Sequence, residues 1–108
     1  MEKRQDINMV ELQGVVGTVR MGEIGNGRYV RFSLATNHAY MTEDGTPVIE
    51  TTWHKCLAFE DKCGCSLDGI VKGAAVHLHG RLRCYRYVDI NNTGRSEVEI
   101  VVNTLETL

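Results

Sequence analysis

Five stretches in which apolar and polar residues alternate, separated by breaks rich in Gly, Asn or Asp, constrain this chain more than any other feature. A period of two belongs to strands buried on one side, and no helix face reproduces it. The stretches are "NMVELQGVVGTVRMG", "RYVRFSLAT", "VIETTWHKCLAFE", "AAVHLHGRLRCYRYV" and "SEVEIVVN". In the first, Val10, Leu12, Gly14 and Val16 share a face; in the second, Val30, Phe32 and Leu34 oppose Tyr29, Arg31 and Ser33. The third sets Thr51, Trp53, Lys55, Leu57 and Phe59 against Thr52, His54, Cys56 and Ala58. In the fifth, Val98, Ile100 and Val102 are expected inward. "EIGNG", "TEDGTP" and "NNTGR" supply turns. Gly14 and Gly17 interrupt the first strand, as a bulge or sharp bend in a small barrel requires.

Only "DKCGCSLDGIVKG" escapes the alternation. It predicts one short helix around residues 61–72, weakened by Gly64 and Gly69. Five strands with a helix between the third and fourth predict an all-β fold, a five-stranded OB-fold Greek-key barrel. An SH3-like barrel is the competing architecture, and the helix position favours OB. At 108 residues the chain is expected to form a single domain, 1–108.

The fourth stretch concentrates chemistry in "RLRCYRYVD". Alternation puts Arg81, Arg83, Tyr85 and Tyr87 on one face. Leu82, Cys84 and Val88 fall on the other with Arg86, and that face reads mostly as core. Guanidiniums beside phenol rings bind phosphates and stack on bases. The same residues are also common on any exposed sheet face. Trp53 and Phe59 share a face with Lys55, and core packing competes with base stacking for both aromatics.

The net charge of −2 is unusual for a nucleic-acid partner, which tends to be basic. Its distribution matters more. Glu43, Asp44, Glu60, Asp61 and Asp68 fall in expected loops or the helix, while Arg81, Arg83 and Arg86 crowd one strand. Arg20, Arg28 and Arg31 lie near strand ends, and only Arg31 is kept as a binding candidate.

An enzyme reading finds little. The histidines His38, His54, His77 and His79 have no evident nucleophile or carboxylate partner in the sequence. No Gly-rich phosphate loop, H-E-x-x-H or G-x-S-x-G is present, so no catalytic residue and no cofactor are predicted. The four cysteines do not form the framework of a secreted miniprotein, and Cys56 and Cys84 are expected as reduced core residues. His77 and His79 share a strand face and Cys63 and Cys65 are close in sequence, but neither pair has the spacing of a complete zinc site. No metal is predicted. The N-terminus lacks an apolar secretory segment and no run reaches membrane-spanning length, which predicts a cytoplasmic, nucleoid-associated protein with no membrane partner.

"RFSLAT", "ETTWHKCLAF", "VKGAAVHLHGRLRCYRY" and "EIVVN" resemble, in order and spacing, the DNA-binding core of bacterial single-stranded DNA-binding proteins. The resemblance runs from Asn8 onward, and T-x-W-H followed by K-G and G-x-L is its most specific part. It implies an OB fold, usual assembly as a tetramer, and single strands wrapped by stacking bases on aromatics. Matched position by position, the stacking residues are Tyr40, Trp53, Phe59 and Tyr87, two of them tyrosine where familiar members carry tryptophan. The basic contacts match Lys72 and Arg86; another basic position falls on Asp61, beside Lys62. His54 matches a position near a subunit contact.

Two departures accompany the likeness. "TVRMGEIGNG" is shorter than usual, and the chain stops at "NTLETL" without the family's linker and acidic tail. The resemblance implies sequence-independent binding of single-stranded DNA in replication, recombination or repair. The binding set is Arg31, Tyr40, Trp53, Lys55, Phe59, Lys72, Arg81, Arg83, Tyr85, Arg86 and Tyr87. The expected partners are single-stranded DNA, further copies of the chain as a dimer or tetramer, and replication or repair proteins. The alternative is a tailless replication-restart primosomal adaptor, an OB module that mainly binds protein.

Overall fold

In the computed structural model, which describes residues 4–62 and 66–108, the five alternating stretches are strands. They are β1 (Val10–Ile24), β2 (Gly27–Met41), β3 (Pro47–Phe59), β4 (Ala75–Val88) and β5 (Gly94–Thr107). Around the closed barrel they run β1-β2-β3-β5-β4, with β4 returning to β1. Closure removes the free edges that an open sheet would expose. All pairings are antiparallel except β3 with β5, which run parallel and meet only at Cys56↔Ile100 and Leu57↔Val101. The expected all-β OB barrel is therefore present.

The expected short helix around residues 61–72 is much reduced among the described residues. Among the described residues that segment holds one 3-10 turn, Leu67–Gly69, and residues 63–65 lie outside the description. A glycine inside a helix costs about 1 kcal/mol relative to Ala. A single turn already delivers the segment's apolar payload: Leu67 and Ile70 are buried in the barrel core. Ser66 caps the turn by accepting a hydrogen bond from the Asp68 amide at 3.2 Å.

The core consists of the alternate residues of all five strands. Val16, Val30, Phe32, Leu34, Cys56, Ala58, Val76, Leu78, Ile100 and Val102 close on one another, joined by Leu105 near the end of β5. Burial pushes the Cys56 thiol up to about 12, so it stays protonated and behaves as a small apolar residue.

Four residues expected inside are outside. Cys84 is exposed, and Leu82, Val88 and Val98 are 48%, 65% and 57% exposed. The reason is the extent of pairing. β4 pairs with β1 only as far as Gly80, and β5 touches β3 only at Ile100 and Val101. Beyond these points β4 and β5 continue to pair with each other through Val88↔Gly94. They form a two-stranded ribbon that has left the barrel, and among the described residues no layer covers its inner side. A β-bulge between His79 and Gly80 marks the departure.

β2 likewise outruns the expected "RYVRFSLAT". It pairs with β3 as far as Met41↔Pro47, making a second projecting hairpin.

Candidate nucleic-acid interface

The outward faces of β1, β2, β3 and the β4–β5 ribbon form one continuous surface. Trp53 stands on β3 opposite Ala35 of β2, and it is 60% exposed. A buried role for this indole is thus excluded. Its inner edge rests on Gly17 of β1, where an added Cβ would lie 2.5 Å from the ring. Any side chain at position 17 would lift the indole off the barrel. Ser33 fixes the same corner by accepting a hydrogen bond from the Thr18 amide at 2.8 Å.

Two residues along β3, Lys55 donates to Glu97 of β5 at 2.5 Å. This bond raises the Lys55 pKa and holds the Glu97 carboxyl below its usual range. Tyr85 and Tyr87 stand on the same side of the ribbon as Arg83, with their rings stacked at 6.0 Å and 30°. Tyr87 also donates to Glu97 at 3.4 Å. Arg83 lies 6.0 Å from the Tyr85 ring centre and pairs with Glu99. Arg31 approaches the other oxygen of Glu99 at 3.7 Å. Between these groups runs a groove of about 490 Å³ lined by Arg20, Arg31, Ser33, Lys55, Tyr85 and Glu99 among others.

The structure thus brings together Arg31, Trp53, Lys55, Arg83, Tyr85 and Tyr87 from the expected set. Phe59 is half-buried at the far end of β3, tilted against Tyr29 at 6.4 Å with Lys62 Nζ 5.6 Å above its ring. Arg81 is exposed and shares the alternation of Arg83. The remaining three are elsewhere. Arg86 alternates with Leu82 and Cys84, so it projects from the opposite side of the ribbon. Lys72 lies in the loop before β4 and is not on a strand. Tyr40 sits on the β2–β3 hairpin in phase with Leu34, opposite to Trp53, and stacks on His38 at 6.0 Å. His54 is half-buried on the inner side, bonded to Thr36 at 2.9 Å. It lines a hollow with the exposed Leu82 and Val98.

Sequence reasoning missed four participants. Tyr29 was in phase with Arg31 all along, and the Arg31 guanidinium lies 5.6 Å from its ring. Arg20 joins the surface because a register shift between Val16 and Val19 brings it opposite Arg31. Glu97 and Glu99 were legible only as polar members of the last strand. Glu99 is 3% exposed, and the guanidinium and ammonium groups around the two carboxylates are largely paired. Arg83 Nε remains buried with no partner among the described residues.

An OB barrel with a shallow groove, standing aromatics and interspersed cations defines a class of surface that accommodates extended, flat-ringed, anionic chains. The profile of the Single-strand binding protein family matches residues 7–108. The chain is 30% identical to the mitochondrial single-stranded DNA-binding protein of Danio rerio, over 94% of this chain and 75% of that protein. It is 29% identical to the single-stranded DNA-binding protein of Neisseria meningitidis, over 77% of this chain and 48% of that protein. Its fold superimposes on a Plasmodium falciparum SSB complex with ssDNA at a TM-score of 0.77, with 22% identity over 99% of both chains. A small single-stranded DNA-binding protein from Streptomyces coelicolor gives a TM-score of 0.68, with 21% identity over 96% of both. The chain belongs to the Single-strand binding protein family, whose members bind DNA without catalysing a reaction. The relatives come from both bacteria and mitochondria, and among the described residues no helix is long and apolar enough to cross a membrane.

Proposed function

We propose that this chain is a single domain that binds single-stranded DNA without regard to sequence, by stacking bases on Trp53, Tyr85 and Tyr87. The observation that carries the reading is the exposed indole of Trp53 on its glycine seat, sharing an outward face with the stacked tyrosines. Every base has a flat face, so aromatic stacking gives affinity without choosing a sequence. Arg20, Arg31, Lys55 and Arg81 attract the phosphates. Glu97 and Glu99 neutralise part of that charge, so stacking carries a larger share of the affinity than the number of arginines suggests. Replication, recombination and repair are the processes that expose such strands.

Self-association belongs to the same reading. Leu82, Val98 and His54 line an open hollow that no described residue covers, and a second copy of the chain supplies the cover.

A poly-dT oligonucleotide should quench Trp53 fluorescence, and the signal reports one position because Trp53 is the only tryptophan. Binding should weaken with added salt as counterions return to the freed strand. Failure to bind at low salt would transfer the surface to a protein partner, the adaptor alternative.

A further inference from the structure

The barrel half of β4 carries a separate cluster on its outward face. His77 and His79 are two residues apart and point the same way, with ring centres 4.9 Å apart. Glu11 of β1 lies opposite His79 in register, and Glu106 of β5 lies opposite His77. Both imidazoles turn Nε2 toward one oxygen of Glu11, at 2.6 Å from His77 and 3.2 Å from His79. On its other side, His77 Nδ1 meets Glu106 Oε1 at 3.2 Å.

We propose that Glu11, His77 and His79 form a site for a divalent transition-metal ion of the zinc class, with Glu106 orienting His77. Both Nε2 atoms converge on the same Glu11 oxygen, so a single cation placed there would meet two imidazole nitrogens and a carboxylate oxygen together. The candidate ligand atoms lie within 4.8 Å of one another. Tetrahedral zinc with bonds of about 2.0–2.1 Å holds its ligands roughly 3.3 Å apart, so small rotations of the exposed Glu11 and His79 about the half-buried His77 adjust the three atoms to that spacing. Mixed imidazole and carboxylate ligation suits zinc, copper or nickel, whereas calcium and magnesium prefer oxygen alone. When Nδ1 of His77 donates to Glu106, Nε2 keeps its lone pair for the metal, the usual arrangement behind a ligating histidine. Three protein ligands leave a fourth position for water. The ion would tie β1 to β4.

The test is a Zn²⁺ titration of the chelator-treated full chain by calorimetry, repeated with Co²⁺ to read ligand type from its absorption. The expected result is saturable binding of one ion per chain, a raised melting temperature with Zn²⁺, and no sulfur charge-transfer band with Co²⁺. His77→Ala/His79→Ala should abolish binding, and Glu106→Gln should weaken it about 10–100-fold. Should either variant fold poorly in chelator, the wild-type chain still decides. Trace Cu²⁺ should broaden the ring resonances of His77 and His79 before those of His38 and His54. Absence of saturable binding, a sulfur band, binding that survives the double variant, or earlier broadening at another histidine would overturn the site. None of these readouts depends on DNA, so the two proposals stand or fall separately.

Discussion

The two halves of β4 share one alternation and meet opposite surroundings. From Ala75 to Gly80, between β1 and β5, the even-numbered Val76 and Leu78 are fully buried. From Arg81 to Val88 only β5 remains alongside, and the even-numbered Leu82, Cys84 and Val88 are exposed. The same kind of side chain in the same phase is core in one half and surface in the other. Alternation therefore tells which residues share a face, while a facing layer decides whether that face is dry.

Truncation on either side of the bulge breaks this comparison most forcefully. Leu78→Ala should cost about 2–5 kcal/mol of stability by opening a cavity in the closed core. Leu82→Ser should leave the isolated fold within about 0.5 kcal/mol of wild type, as surface changes usually do. Its effect should appear instead in light scattering, as a shift toward the 12.1 kDa monomer. Equal losses in chemical denaturation would mean the ribbon is packed as tightly as the barrel.

Arg83→Ala comes next. It removes the partner of a carboxylate that is 3% exposed, leaving Arg31 as the remaining cation near Glu99. The expected cost is about 2–3 kcal/mol of stability, the range for stranding a buried charged group that keeps a weaker partner. Arg83→Ala/Glu99→Gln should recover much of it, and a melting curve for the pair of variants checks this.

Tyr87→Ala should spare stability and cost about 1–3 kcal/mol of poly-dT affinity, the usual loss of one base–aromatic stack. Oligonucleotide binding that is unchanged in a folded variant would assign the ribbon's rings to surface decoration.

The smallest effect lies at the ribbon tip. Asp89 accepts from the Asn91 and Thr93 amides and from Arg95 Nε, at 2.9, 3.0 and 2.9 Å. The Arg95 hydrogen bond, followed by those amides, holds its carboxyl below the usual 3.8. A lowered acid stabilises the fold above that value and loses its contribution as pH falls through the depressed one. The amide shifts of Asn91 and Thr93 should therefore titrate with a midpoint below 3.8. A midpoint at or above it would show that the tip is not closed by Asp89.

Much of the fold was legible because strand phase is local. Val30, Phe32 and Leu34 could be assigned to one inward face from spacing alone, and the barrel agrees; the outward place of Trp53 needed its phase with Lys55 and the family resemblance together. The candidate surface was readable in the same measure: Arg83, Tyr85 and Tyr87 share a face in the sequence and in space. Other features were not legible, for identifiable reasons. Arg20 enters the surface through a bulge, which shifts phase by an amount that composition does not reveal. Glu97 and Glu99 neutralise cations on β2, β3 and β4 only after β5 is laid between β3 and β4. The helix expected between β3 and β4 is, among the described residues, a single 3-10 turn, whose Leu67 packs into the core with the neighbouring Ile70.

By itself, the sequence determined five strands, which residues of each strand share a face, and the sharing of one face by aromatics and cations. Those properties depend on residues two apart, whose relative direction the backbone sets without help. Only the tertiary structure decided where the core ends along β4 and β5, which carboxylates meet which cations, and that Glu11 meets His77 from 66 positions away. These depend on register and closure, which arise when separate strands pair and are written in no single stretch of the chain.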